Sequence, residues 1–220
     1  MSAKAWVGGV LAVALAAGIL GLILVPSFEF LVGGALVNLG YRLQDRLGRY
    51  DFEHDESITP DQIWAELKRQ NELASSIRGL FPRTVRHPVV AVLACMDARI
   101  DVSELVGDTR RYYYVVRTAG SVLSTAEQEM LELAVLNGVK IIVLTTHTDC
   151  AAEGAAHDDA LRDKFPALIS LMDDRVRRFD EFMNRPVIRE AVEAGELQIK
   201  YARIDTTTDR LVVDELHGLD

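Results

Sequence analysis

Three short apolar runs, Val89–Ala94, Tyr112–Val116 and Lys140–Thr146, constrain this chain more than any other feature. The first and third are rich in valine, leucine and isoleucine, with little polar alternation. That is the pattern of strands buried on both faces, as in a parallel sheet. Helix-start signals separate them. Asp101-Val102-Ser103-Glu104 reads as a capping box opening a short helix that ends at Gly107. Ser124-Thr125-Ala126-Glu127 opens a second helix, stopped by Asn137-Gly138. Helices are also predicted from Pro166 to about Met183, with Leu168, Leu171, Met172, Val176 and Phe179 facing inward, and over Pro186–Ala194. Leu197–Ile204 and Arg210–Val213 then form two strands around a turn at Asp205–Asp209. The expected fold is α/β: a mostly parallel central sheet flanked by helices, with a C-terminal antiparallel edge strand.

Two of the runs lead into clusters of reactive side chains. The first ends in Ala94-Cys95-Met96-Asp97-Ala98-Arg99 and the third in His147-Thr148-Asp149-Cys150. Open α/β sheets place their ligands at the carboxyl ends of such strands. Two thiolates and an imidazole are good zinc ligands, and three protein ligands leave a fourth position open, the pattern of catalytic rather than structural zinc. Asp97 sits two positions after Cys95, and Arg99 two after that. A carboxylate held by a guanidinium stays ionised and oriented, able to accept a hydrogen bond from a hydroxide nucleophile. The competing reading is a disulfide or redox pair, since Cys95 and Cys150 are the chain's two cysteines. A staple has no need of the surrounding carboxylate, arginine and histidine. The shortage of cysteine suits a reducing compartment.

Cys95-Met96-Asp97-Ala98-Arg99, Val116-Arg117-Thr118-Ala119-Gly120 and His147-Thr148-Asp149-Cys150, in this order and strand context, resemble the β-class carbonic anhydrase family from about Val85 onward. The resemblance implies Zn2+ held by Cys95, His147 and Cys150, a catalytic Asp97–Arg99 dyad, reversible hydration of CO2 to bicarbonate, and a homodimer or higher homo-oligomer. It also implies an alternative closed state with Asp97 as fourth ligand, and an N-terminal helix reaching toward a neighbouring subunit. Thr118, Ala119 and Gly120 are the expected substrate-binding loop, small enough for backbone N–H groups to approach bicarbonate; a tight strand-to-helix turn is the plainer reading. A helix over Ala151–His157 would turn its N-terminus toward Cys150. Three positions depart from the family pattern: Thr118 for asparagine, Thr146 for the glycine before the histidine, and Ala151 for the glycine after the second cysteine. They leave the metal ligands intact and open the alternative of a carbonyl sulfide or carbon disulfide hydrolase on the same scaffold. His54, His87, His157 and His217 fall in no ligand spacing; His157, beside Asp158 and Asp159, is a proton relay or a solvated helix end.

The N-terminus has a different character. Ala5–Val25 carries no charge over 21 residues. At about 1.5 Å per residue it matches a bilayer core of about 30 Å. It is longer than the apolar region of a signal peptide and lacks an evident cleavage site before Pro26, so a retained transmembrane helix is expected. Arg42, Arg46 and Arg49 follow the run and only Lys4 precedes it, which places the body of the chain on the cytoplasmic side. Phe30–Leu43 is short for a second crossing and reads as an interfacial or re-entrant helix, with a hairpin as the alternative. Its glycines and alanines suit close helix packing, against a membrane-protein complex partner or a second copy. The expected organisation is therefore a membrane segment over 1–50, a linker over 51–58 and a zinc-binding domain over 59–220. Thr59-Pro60-Asp61-Gln62 starts a helix running to about Arg78, with Ile63, Leu67, Leu73 and Ile77 in its apolar stripe.

Residues 1–50 hold four basic and two acidic side chains, whereas the whole chain is at −9. The acidic body argues against nucleic acid as a partner. With an anchor present, a zinc-stabilised accessory subunit of a membrane transport or respiratory complex is the alternative to an enzyme.

Overall fold

In the computed structural model, which describes residues 3–80 and 86–213, the N-terminal apolar run is helical from Ala3 to Leu24 (α1). Proline at the first position then opens α2, Pro26–Gln44, where its missing N–H costs no helical bond. The expected re-entrant segment at 30–43 is thus the body of one continuous helix. The transmembrane expectation is not met: among the described residues, no helix is long and apolar enough to cross a membrane. Several side chains of α1 within the Ala5–Val25 run lie outside the described residues, so the run is read here as a helix and nothing more.

A single 3-10 turn, Leu47–Arg49, and a series of turns lead to α3, Pro60–Arg78. The predicted capping box is present: Gln62 N–H donates to Thr59 Oγ1 (3.3 Å) and Thr59 N–H to Gln62 Oε1 (2.7 Å). Arg46 pairs with Glu66 of this helix. The chain divides into two compact units, Met1–Arg83 and Thr84–Asp220, so α3 groups with α1 and α2. None of its residues is buried.

The second unit follows the strand–helix alternation. It runs β1 (Val90–Cys95), α4 (Val102–Val106), α5 (Thr109–Tyr112), β2 (Tyr113–Thr118), α6 (Thr125–Leu136) and β3 (Ile141–His147). It continues with α7 (Ala151–Ala156), α8 (Asp159–Arg162), α9 (Pro166–Asp173), α10 (Arg175–Met183), α11 (Pro186–Glu193), β4 (Gln198–Asp205) and β5 (Arg210–Val213). The sheet order is β2-β1-β3-β4-β5. The first four strands are parallel, and β5 pairs antiparallel with β4. The fold class is as expected from the sequence, without the membrane span.

Alternation along the central strands builds two cores. Ala91 and Leu93 of β1 join Ile142 and Leu144 of β3 with Leu131, Phe182 and Ile188 on one side. Val92 and Ala94 join Ile100, Val102 and Ile204 on the other, and Cys95 and Cys150 belong to this second cluster. The metal-ligating candidates therefore sit at the rim of a dry core.

Three local expectations are corrected. The helix expected over 166–183 breaks at Asp174 (ψ −2°), whose carboxylate takes the Arg177 guanidinium at 2.7 and 3.1 Å. The break shifts the helical phase, leaving Val176 47% exposed while Ile169 and Phe182 supply the buried contacts. Asp101 caps α4 by accepting from Ser103 N–H (2.8 Å) rather than through a box with Glu104. Helix α5, capped by Asp108, is an extra turn not foreseen in the sequence. His217 lies outside the described residues.

Candidate metal centre

Adjacent pairing of β1 and β3 brings the two reactive clusters together. Cys95 is the last residue of β1, His147 the last of β3, and Cys150 the residue that precedes α7. Their ligand atoms all lie within 4.8 Å of one another, and all three residues are buried. Both cysteines are free thiols, which removes the disulfide reading.

The imidazole is oriented by the backbone. His147 Nδ1 is 2.9 Å from the Thr148 carbonyl oxygen, an acceptor, so Nδ1 carries the proton. Nε2 is then left buried with no protein partner. Buried polar atoms are nearly always satisfied, and a lone pair facing two sulfurs is satisfied by a metal ion. The donor set, the orphaned nitrogen and the clustering fit zinc.

Backbone N–H groups surround the sulfurs. Those of Asp97 and Gly120 point at Cys95, and those of Ala152 and Glu153 at Cys150. The two thiols lie close enough to influence each other. The Cys95 thiol is held well below its ordinary value, foremost because Cys150 donates to it. Cys150 is pushed up by that same contact and by burial. A cation bound between them would displace the thiol protons. Helix α7 has six residues, so its individual N–H groups, more than its dipole, favour the thiolate.

Asp97 is fully engaged by Arg99. Nε donates to Oδ1 (3.1 Å), Nη2 to Oδ2 (2.9 Å), and the Arg99 backbone N–H to Oδ1 (2.9 Å). Arg99 therefore holds the Asp97 carboxyl well below the usual carboxylate range. Arg99 Nη2 also donates to the Asp149 carbonyl (3.0 Å), tying the β1 cluster to the β3 cluster.

A second arginine was not assigned a role from the sequence. Arg117, at the end of β2, donates from Nε to the Cys95 carbonyl (3.3 Å) and from Nη2 to the Asp97 carbonyl (2.6 Å). It clamps both ends of the Cys95–Asp97 turn. Its sequence signals are its place in the Val116–Gly120 motif and a cation at a strand end, immediately before the small-residue loop.

That loop lies beside the thiolates. Thr118 is in register with Cys95, and its carbonyl accepts from Met96 N–H (3.0 Å). Its hydroxyl is buried without a partner. Ala119–Ser121 form a 3-10 turn with Gly120 at φ 59°. A Cβ at Gly120 would lie 2.3 Å from Met172 Sδ. The N–H of Gly120 also helps hold the Cys95 thiol low. Thr146 is half-buried on β3, Ala151 begins α7, and His157 is exposed at the end of that helix.

These features define a class: an α/β protein with a buried Cys–His–Cys centre beside an arginine-held aspartate, at the carboxyl ends of parallel strands. Residues 90–179 match the family model described as carbonic anhydrase. β-Carbonic anhydrase 1 of Mycobacterium tuberculosis is 34% identical over 93 residues, covering 41% of this chain and 56% of that protein. Carbonic anhydrase 2 of the same organism is 28% identical over 155 residues, covering 60% of this chain and 75% of that protein. A tetrameric β-carbonic anhydrase of the ascomycete Sordaria macrospora has the same fold, with a TM-score of 0.53 at 19% identity over 70% of this chain and 98% of that one. A β-carbonic anhydrase of Aspergillus fumigatus gives 0.55 at 19% identity, over 71% and 92%. Over these segments the chain is similar to β-class carbonic anhydrases. It spans just over half the length, 56%, of the first of these curated relatives.

Proposed function

We propose that this protein is an enzyme that catalyses the reversible, zinc-dependent hydration of carbon dioxide to bicarbonate and a proton. The observation that carries the reading is the orphaned Nε2 of His147, facing the sulfurs of Cys95 and Cys150 beside Asp97. These three residues would hold the zinc. When bound, zinc acts as a Lewis acid that makes water acidic enough to be a nucleophile near neutral pH.

The chain's own residues supply the rest. Asp97, kept ionised by Arg99, accepts the remaining proton of the attacking oxygen in a hydrogen bond and aims a lone pair at carbon. Arg117 fixes the backbone on which Asp97 stands. The Thr118–Gly120 loop bounds the site closely, and the unpartnered Thr118 hydroxyl is a donor for a bicarbonate oxygen.

The working form is proposed as a homodimer. Strand β2 is a sheet edge, with Tyr114 and Val115 exposed, and the outer face of α6 presents Met130, Leu133 and Leu136. Such a contiguous apolar face suits a second copy. Two free thiols at the centre suit a reducing compartment.

Stopped-flow CO2 hydration by protein of measured zinc content, with a Cys95→Ser control, tests the reading. Fast turnover that scales with zinc and is lost in the control is expected. Stoichiometric zinc without CO2 turnover would overturn the assigned reaction.

A further inference from the structure

The β4–β5 turn reaches back to the metal centre. Thr206 N–H donates to Thr148 Oγ1 (3.0 Å), and the two hydroxyls hydrogen-bond at 2.9 Å across 58 positions of sequence. Thr148 N–H also donates to the Ile204 carbonyl (3.0 Å). Thr148 is thereby fixed at its backbone and its side chain by one hairpin. Its remaining backbone group, the carbonyl, is the acceptor that orients His147. The turn is itself braced, since Asp205 Oδ1 accepts from Thr207 N–H (2.9 Å).

We infer that Thr206 is a positioning residue for the metal-binding histidine: its hydroxyl and N–H hold Thr148 so that the Thr148 carbonyl fixes the Nδ1–H tautomer and aims Nε2 at the two sulfurs. The inference rests on the metal centre of the proposed function, not on the substrate. It assigns a role to the antiparallel edge of the sheet, which otherwise contributes only Ile204 and the partly buried Leu211 to the core beside the cysteines. Partners behind a metal-ligating histidine typically change metal affinity by about 10- to 100-fold when removed.

The test is zinc affinity of the full chain, by competition with a chromogenic chelator, for wild type, Thr206→Val and Thr206→Ser. Far-UV circular dichroism establishes that each apoprotein is folded, so that a mere loss of stability would leave affinity unmoved. Thr206→Val should weaken zinc binding about 10-fold or more, and Thr206→Ser, which keeps the hydroxyl, should stay within about threefold of wild type. Affinity in folded Thr206→Val within about twofold of wild type would overturn the inference, as would a serine variant as weak as the valine. Should the variants not fold, nitrogen NMR of the His147 ring in zinc-loaded wild type decides. A protonated Nδ1 in slow exchange is expected, and a metal-bound or unprotonated Nδ1 overturns it. Loss of CO2 turnover with these zinc results intact would refute the reaction and leave the positioning role standing. Wild type that binds no zinc would overturn both.

Discussion

Gly120→Ala probes the closest approach in the site. Gly120 has φ 59°, and an added Cβ would lie 2.3 Å from Sδ and 2.8 Å from Cε of Met172. Two costs follow. A left-handed backbone costs alanine about 1–2 kcal/mol. The Met172 thioether is flexible, but the residue is only 8% exposed and packed with Val122, Ala155 and Ile169. Moving it within that cluster costs about 1–3 kcal/mol. The stiffer unfolded chain returns about 0.4–1 kcal/mol. The net loss is about 2–4 kcal/mol, or about 4–16 °C in melting temperature for a chain of this size. Urea denaturation of the apoprotein measures it, with Met172→Ala as the second background. Shortening Met172 removes the clash and leaves the backbone term, so the double-mutant cycle should show coupling of about 1 kcal/mol or more. Zinc affinity should fall as well, since the displaced loop carries the N–H aimed at Cys95. A Gly120→Ala variant within about 0.5 kcal/mol of wild type would refute the reasoning on both counts.

Asp97→Ala should retain zinc, because Asp97 is not among the clustered ligands, while CO2 turnover falls about 10²- to 10⁴-fold. Unchanged stopped-flow rates would remove Asp97 from the chemistry. Phe182→Ala, at a position with 0% exposure, should cost about 3–5 kcal/mol in urea denaturation; a loss under about 1 kcal/mol would mean the core is misassigned. Arg99 holds the Asp97 carboxyl below its ordinary range, so the folded state binds that proton less readily than the unfolded chain. The resulting stability is fully present above the unfolded value of about 3.9 and is lost as pH falls below it. The difference in urea midpoint between wild type and Arg99→Met should therefore shrink between about pH 6 and pH 3. A constant difference would refute the linkage.

What was legible in the sequence had local causes. Strands β1 and β3 fall within one residue of expectation because each is a short, largely apolar run suited to a strand buried on both faces, and β4 does so because Ile199 and Tyr201 alternate with Gln198 and Lys200. Both the Thr59 and Ser124 capping boxes formed from residues three apart, whereas the same spacing at Asp101 and Glu104 did not, because the Asp101 carboxylate accepts from Ser103 N–H instead. Cys95, His147 and Cys150 were found because each ends or directly follows such a strand. The misses depend on what lies across space. Arg117 reaches the Cys95 and Asp97 carbonyls only through the β1–β2 register, and Thr206 meets Thr148 only once β4 pairs with β3. The break at Asp174 goes with an Asp174–Arg177 side-chain pair inside a sequence with good helical periodicity, which periodicity alone does not signal.

The centre is precise because its backbone is held from outside the ligand set. Asp149 and Ser121 adopt φ 54° and 56°, conformations that non-glycine residues rarely take and that need support. Arg99 supports the first by donating to the Asp149 carbonyl, and Arg117 closes the turn that carries Asp97. Each arginine spans two chain segments, so neither ligand loop can shift without breaking a charge-assisted bond. The dyad partner of Asp97 is thus also the brace between the Cys95 and Cys150 loops. Substituting Arg99 should disturb zinc affinity and turnover together, whereas substituting Asp97 should disturb turnover alone. That difference separates a residue of the chemistry from one that also builds the site.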